Sequence, residues 1–458
     1  MSRSYLSYML TSLFLASVYG AEFQVNMHTT YDQKNAAIAM DETGNFVVVW
    51  SSYLQDANSN GVFGRLFDPN CGQLGEEFQI NATSSGNQAE PAVAMDAAAG
   101  FIVAWQGPGL IEQDREDIFA QRFDPNGSPA GGEFLVNSYT DDQQLSPSTA
   151  MNGNGTFIVV WESCNTALEG DKSICGRLFD SNGVGLGDEF PVNEELSPCR
   201  YPDVAADANG NFAVVWMEEK SSNSIMGRLF DPNGEPRTNT FEVSTIRFSS
   251  LTRPSIAMDK SGGFVVAWDG DPNNAGTDDI HARLYDANGT PLGGQFLVNT
   301  TTTCAQQYPA AAMNGDGEFV IVWDCRIDPN ADNQRDIFGR RFGSSGEFIG
   351  DEFQINSFEL NDQRYPAVAI SEAGGFVAVW QSQTQDGSRY GIFARPGPII
   401  GSADFNADGL VDFYDYSILA GEWLLNENPL TADLIDDNKI DERDLAEFCR
   451  QWLIITDD

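Results

Sequence analysis

The chain has 458 residues, enough for a large core and more than one domain, and its many Gly, Pro and aromatic residues favour short strands and turns over long helices. It carries 67 acidic against 25 basic side chains, a formal net charge of −42. That balance argues against nucleic acid and anionic membrane surfaces as partners, since both need clustered Lys and Arg, and it suits solubility and divalent cations.

The N-terminus reads as an export signal over residues 1–20. Arg3 gives a positive start, Tyr8 to Tyr19 is mostly apolar, and Gly20 and Ala21 are small enough for a cleavage site. The apolar run is too short to span a bilayer, and no other segment approaches transmembrane length. The expected product is bacterial and secreted, extracellular or held at the cell surface.

From Glu22 to Gly397 one pattern recurs seven times at a spacing of roughly 55 residues. Its clearest mark is an apolar run ending in Trp: Trp50, Trp105, Trp161, Trp216, Trp268, Trp323 and Trp380. An Ala-rich stretch precedes each run, a segment such as VFGRLFDPN (Val62 to Asn70) follows, and a piece such as EFQIN closes the repeat. These four strand-sized pieces are termed a, b, c and d. Strand b is apolar throughout and so expects burial on both faces. The small residues of strand a suit innermost strands crowded round an axis. The D-x-x-G and DPNG segments are hairpin turns. Four antiparallel strands repeated radially predict an all-β, seven-bladed β-propeller over residues 22–397. The chain opens on a lone strand d (EFQVN from Glu22), and the last repeat stops after strand c. The N-terminal strand is therefore expected to complete the last blade and close the ring.

The d-to-a and b-to-c loops share one face and vary in length, which makes that face the expected home of a protein or glycan ligand. Two b-to-c loops alternate oxygen-bearing side chains in a way that suits calcium: Asp269, Asp271, Asn273 and Asp278, and Asp56, Asn58 and Asn60. Six strand-c arginines (Arg65, Arg177, Arg228, Arg283, Arg340, Arg395) recur blade by blade and are expected to pair with the Glu that opens strand d, such as Glu77, Glu133 and Glu189. Of the seven Cys, Cys304 with Cys325 and Cys164 with Cys175 are the expected pairs, while Cys71 and Cys449 look unpaired. Only two His are present, His28 and His281, and neither sits in a triad or metal motif. The recurring D-x-x-G-x-F turn resembles the Asp-box of sialidases but lacks an Arg-rich site around it, and reads as a turn. No catalytic residue stands out. Glycoside hydrolysis needs only two carboxylates, so a paired-carboxylate hydrolase remains the alternative to a binding protein.

After a short linker (398–402), residues 403–458 hold two related loop–helix segments. In the first, Asp404, Asn406, Asp408, Asp412 and Asp415 occupy loop positions 1, 3, 5, 9 and 12, Leu410 offers a backbone carbonyl, and Gly409 allows the sharp turn. The second keeps Asp433, Asp437, Lys439 (through its carbonyl), Asp441 and Asp444, but has Ile435 where a ligand is expected and Asn438 in place of Gly. This duplicated unit resembles a type I dockerin, a small α-helical domain of paired EF-hand-type loop–helix units. The resemblance implies calcium as cofactor and a cohesin-like domain on a scaffold or cell surface as partner. It places partner recognition on Phe413, Tyr414, Glu442 and Arg443. Dockerins also occur on secreted polysaccharide-degrading enzymes, which points toward a carbohydrate role by analogy.

Overall fold

The computed structural model describes residues 21–397 except 110–114, 164–172, 195–196, 221, 246–252, 272–276, 303 and 327–333. The dockerin-like segment, with every calcium and recognition residue assigned to it, lies outside the described residues, as do Cys164, Cys449 and Asn273. Among the described residues there is no helix, and none is therefore long and apolar enough to cross a membrane. The chain divides into two compact units. One is the propeller body, Gln24–Glu372 with Val377–Ala394. Of the other, residues 21–23, 373–376 and 395–397 are described, and within it the Gly397 N–H donates to the Phe376 carbonyl at 2.7 Å.

Seven four-stranded antiparallel sheets form the blades. Six run a-b-c-d in sequence order, as in blade 1: a Gln33–Met40, b Phe46–Tyr53, c Asn60–Phe67, d Phe78–Gln79. The seventh takes its fourth strand, Phe23–Gln24, from the N-terminus, so the ring closes as the sequence predicts. Val25 N–H donates to the Ile392 carbonyl at 2.8 Å, and Ile392 N–H returns to Asn26 Oδ1 at 2.7 Å. The same Asn bond recurs inside other blades, for example Val62 N–H to Asn81 Oδ1 at 2.7 Å.

Strand b owes its unbroken apolar run to the stacking of blades. In the layer between blades 1 and 2, Val47 and Val49 of one strand b meet Phe101, Val103 and Trp105 of the next. All seven Trp are fully buried, as blade-to-blade packing requires. At the far end of blades 1 to 6 the first aromatic of b stacks on the last of c: Phe46 on Phe67 at 4.8 Å, Phe264 on Tyr285 at 4.8 Å. His281 takes the place of a packing Phe, its ring 6.1 Å from that of Trp268. The a-to-b turns are held by Asp: Asp41 Oδ1 accepts the N–H groups of Thr43 and Asn45, both at 2.9 Å, while Gly44 supplies φ 95°.

The expected pairing of strand-c Arg with strand-d Glu does not occur. Five of them, Arg65, Arg177, Arg228, Arg283 and Arg340, instead reach sideways to a carbonyl of the neighbouring blade, for example Arg65 Nη1 to Val25 O at 3.0 Å and Arg177 to Val136 O at 2.8 Å. The Glu carboxylates accept backbone N–H groups on the adjacent blade: Glu77 from Met27 and His28, Glu133 from Ala82, Glu189 from Ser138. Strand d is only two residues long in most blades, so it leaves backbone groups unpaired, and the charged side chains satisfy them. The Glu side chains stitch blades together, and the Arg side chains both stitch blades and brace their own, as when Arg65 Nε donates to the Gly75 carbonyl at 3.1 Å.

Candidate functional site at the strand-a mouth

The inner strands are irregular where they begin. Pairing with strand b slips between Lys34 and Ala37, Ala89 and Ala92, Leu145 and Ser148, Arg200 and Asp203, and Gln307 and Ala310. In each slip one non-glycine residue takes the left-handed conformation: Asn35 (φ 54°), Glu90 (51°), Ser146 (50°), Tyr201 (53°) and Tyr308 (55°), joined in blade 7 by Tyr365 (53°). All but Asn35 precede a Pro. Proline has no N–H to give to the ladder, so a bulge suits it, yet a left-handed residue before proline is strained. Such a residue costs on the order of 1–3 kcal/mol. Six of them at one mouth of the ring point to a purpose beyond folding.

In four of the six the preceding blade supplies the acceptor for the freed backbone N–H, from the residue just after the strand-b Trp. Gln381 accepts from Asn35 at 3.3 Å, Gln106 from Ser146 at 3.1 Å, Glu162 from Tyr201 at 2.8 Å and Asp324 from Tyr365 at 3.3 Å. The mouth is thus aligned by bonds that cross from blade to blade.

The left-handed residues line a cavity of about 850 Å³. One wall is aromatic. Tyr308 and Tyr365 meet edge to face with ring centroids 4.5 Å apart, and Tyr201 and Tyr390 extend the wall. Burial, then the neighbouring Tyr365, pushes the Tyr308 phenol up to about 12, so it stays a neutral hydrogen-bond donor. Each basic side chain of the cavity lies over one of these rings: Arg364 at 5.0 Å from Tyr365, Arg253 at 4.6 Å from Tyr201, and Lys34 at 4.8 Å from Tyr390.

Carboxylates stand in and behind the cavity. Glu90 lines it, with Ser146 Oγ 3.4 Å away. Glu116 opens strand c of the same blade, and its carboxyl is raised above the usual range, first by burial and then by the charge of Glu90. Asp203 accepts from Ser148 Oγ at 2.7 Å and Ile256 N–H at 2.9 Å, and burial raises it as well. Asp324 is fully buried behind Tyr365 and bonded to Arg335, and burial lifts it to about 6 against the pull of Arg335 and Arg364.

The opposite end of the inner strands encloses a smaller cavity of about 170 Å³, ringed by Met side chains including Met95 and Met313. Lys260 of blade 5 closes over it, 2.8 Å from Glu42 and 3.3 Å from Glu372.

Several loop residues singled out for calcium already hold hydrogen bonds, within the loop or to the next blade. Asp278 accepts from Gln307 at 2.6 Å, Asp56 accepts the Asn58 N–H at 3.1 Å, and Asn60 donates to Asn87 at 2.6 Å. Asp269 is buried, Asp271 lies in the same loop, and Asn273 falls outside the described residues. Among the described residues no three His, Cys, Asp or Glu side chains gather into a metal cage. The residues of the mouth were missed in the sequence, although a signal existed. In blades 2 to 7 strand a is entered through a variable residue followed by Pro, from Glu90-Pro91 to Tyr365-Pro366, and that variable residue lines the cavity.

No protein-family model and no curated protein matches this chain. Solved structures resemble it at low identity. A protein of unknown function from Dyadobacter fermentans DSM 18053 matches at 10% identity and TM-score 0.48, over 82% of this chain and 97% of its own. An alpha-L-arabinanase from Penicillium chrysogenum, complexed with arabinobiose, matches at 12% identity and TM-score 0.45, over 67% and 92%. A polysaccharide lyase, an ulvan lyase bound to -[GlcA(1-4)Rha3S]-, matches at 10% identity and TM-score 0.48, over 83% and 95%.

Proposed function

We propose that the strand-a mouth is the active site of a carbohydrate-active hydrolase. The observation that carries the reading is Glu90 on the wall of a tyrosine-lined cavity, with Glu116 of the same blade close enough for the charge of Glu90 to raise its carboxyl. A cavity of about 850 Å³ has room for a short run of sugar units, whose apolar ring faces stack on tyrosine while their hydroxyls bond to polar groups between the rings. Glu116, its carboxyl raised by burial and then by Glu90, is the group that gives a proton to the glycosidic oxygen as the bond to the anomeric carbon breaks. Glu90 serves as the second carboxylate, attacking the anomeric carbon or taking a proton from water. The left-handed backbone at Glu90, φ 51°, restricts the direction of its side chain before substrate arrives.

Release of reducing ends from a panel of polysaccharides by the full chain tests this. Glu90→Gln and Glu116→Gln should each slow release by roughly 10²- to 10⁴-fold with no change in melting temperature. Activity that survives both changes sinks the assignment, and tight saccharide binding without products makes the mouth a binding site only.

For residues 403–458 we propose the dockerin-like role: a calcium-loaded module that holds an exported propeller to a cohesin-like domain. Its support is the ligand spacing from Asp404 to Asp415.

A further inference from the structure

In a chain with a net charge of −42, a basic site has to be assembled against the prevailing field. Three basic side chains nevertheless line the strand-a mouth. Arg253 is exposed, and its one recorded contact is the face of Tyr201; among the described residues it has no carboxylate partner. Arg364 has a buried Nε with no acceptor, and its Nη1 is 3.7 Å from Asp362, beyond hydrogen-bond reach. Lys34 is 3.4 Å from Asp32 and otherwise lies over Tyr390. A guanidinium offers five donors in a planar fork, enough to hold both oxygens of an acidic group.

Of the three, Arg253 has no carboxylate beside it among the described residues, while Arg364 lies near Asp362 and Asp324 and Lys34 near Asp32. Of the acids that line the cavity, Asp203 already accepts from Ser148 and Ile256, and Glu90 lies 3.4 Å from Ser146 Oγ. The cations sit over tyrosine rings, which holds them in place without neutralising them. Planar guanidinium groups with free donors match carboxylate and sulfate oxygens in a bidentate manner.

We infer that the saccharide taken by this mouth is acidic, bearing a carboxylate or a sulfate ester that Arg253 and Arg364 grip while its ring lies on the tyrosine wall. This rests on the mouth being a saccharide site, as proposed above. It adds that charge on the sugar is required.

The test uses the full chain and three polymers: polygalacturonate for carboxylate, dextran sulfate for sulfate, and dextran as the neutral reference. Non-specific attraction is not a concern, because the protein itself repels polyanions. One acidic polymer should bind and dextran should not, with affinity falling as salt rises. Which acidic polymer binds identifies the anionic group. Arg253→Gln should weaken that binding roughly tenfold or more at unchanged melting temperature, since a charge-assisted bond is lost from an exposed position. Dextran bound and cut as well as the acidic polymers, in a Glu90-dependent way, overturns the inference and leaves the hydrolase reading intact. Equal binding by Arg253→Gln and the unaltered chain also overturns it. Failure of all three polymers to bind counts against the inference and the saccharide site together.

Discussion

The sulfur atoms of Cys304 and Cys325 lie 2.8 Å apart, both buried, one in the loop before strand a of blade 6 and the other at the end of its strand b. The hydrogen bond from Cys325 draws the Cys304 thiol down to about 7, while Cys325 is pushed up by the same contact and by burial. One sulfur is therefore ready to act as a thiolate beside the other. We expect a disulfide under oxidising conditions, closing a separation of 21 residues and stabilising the fold by about 3 kcal/mol. Intact mass after mild oxidation should fall by two hydrogens, with both thiols lost to alkylation. Continued alkylation of both would rule the bond out. Cys175 differs: it is half-buried, and burial pushes its thiol up to about 11.

Asp324 gives the fold a pH dependence of known sign. Its ordinary value is 3.8, and burial raises it to about 6 in the folded protein. Between those values the folded chain holds a proton that the unfolded chain has released. The stabilisation is complete below the ordinary value and is lost as pH rises through about 6, in all about 3 kcal/mol. Urea unfolding at pH 4 and at pH 6.5 should show the unaltered chain losing about that much more than Asp324→Asn. Parallel losses in the two proteins would refute the assignment.

Asn26 should be the seam of the ring. It accepts the Ile392 N–H as Asn81 accepts that of Val62, but it comes from the far end of the chain. Asn26→Ala and Asn81→Ala each leave a buried N–H unpaired and should cost about 1–3 kcal/mol. Only Asn26→Ala should speed hydrogen exchange at Ile392. Equal exchange there in both variants would mean that closure does not depend on this bond.

Calcium added to the full chain should raise helicity in the far ultraviolet with one tight ion, held by the loop from Asp404 to Asp415. Asp408→Ala should abolish that site, and Ile435→Asp should add a second. No calcium uptake by the unaltered chain would remove the docking role.

The ring architecture was legible because stacking imposes the same burial seven times, so Trp and its apolar run recur wherever strand b recurs. The offset of the first strand d foretold closure for the same reason. The Arg–Glu partnership was misread because sequence distance favoured partners within a blade, while the unpaired backbone that attracts both lies on the next blade. The mouth went unseen for a different reason. Asn35, Glu90, Ser146 and Tyr201 share no chemistry, only a backbone twist and a following residue that is usually Pro, and composition does not record twist.

Lys260 links blade 5 to Glu42 on blade 1 and Glu372 on blade 7, the two blades that flank the seam. Each exposed pair is worth little by itself, about 0–1 kcal/mol. Their placement matters more than their strength, because they act as a spoke across the hub of a wheel whose rim has one joint. If the N-terminal strand peels away, the rims on either side of the joint remain tethered to the far side. Reannealing is then a short, local search rather than the re-formation of a ring.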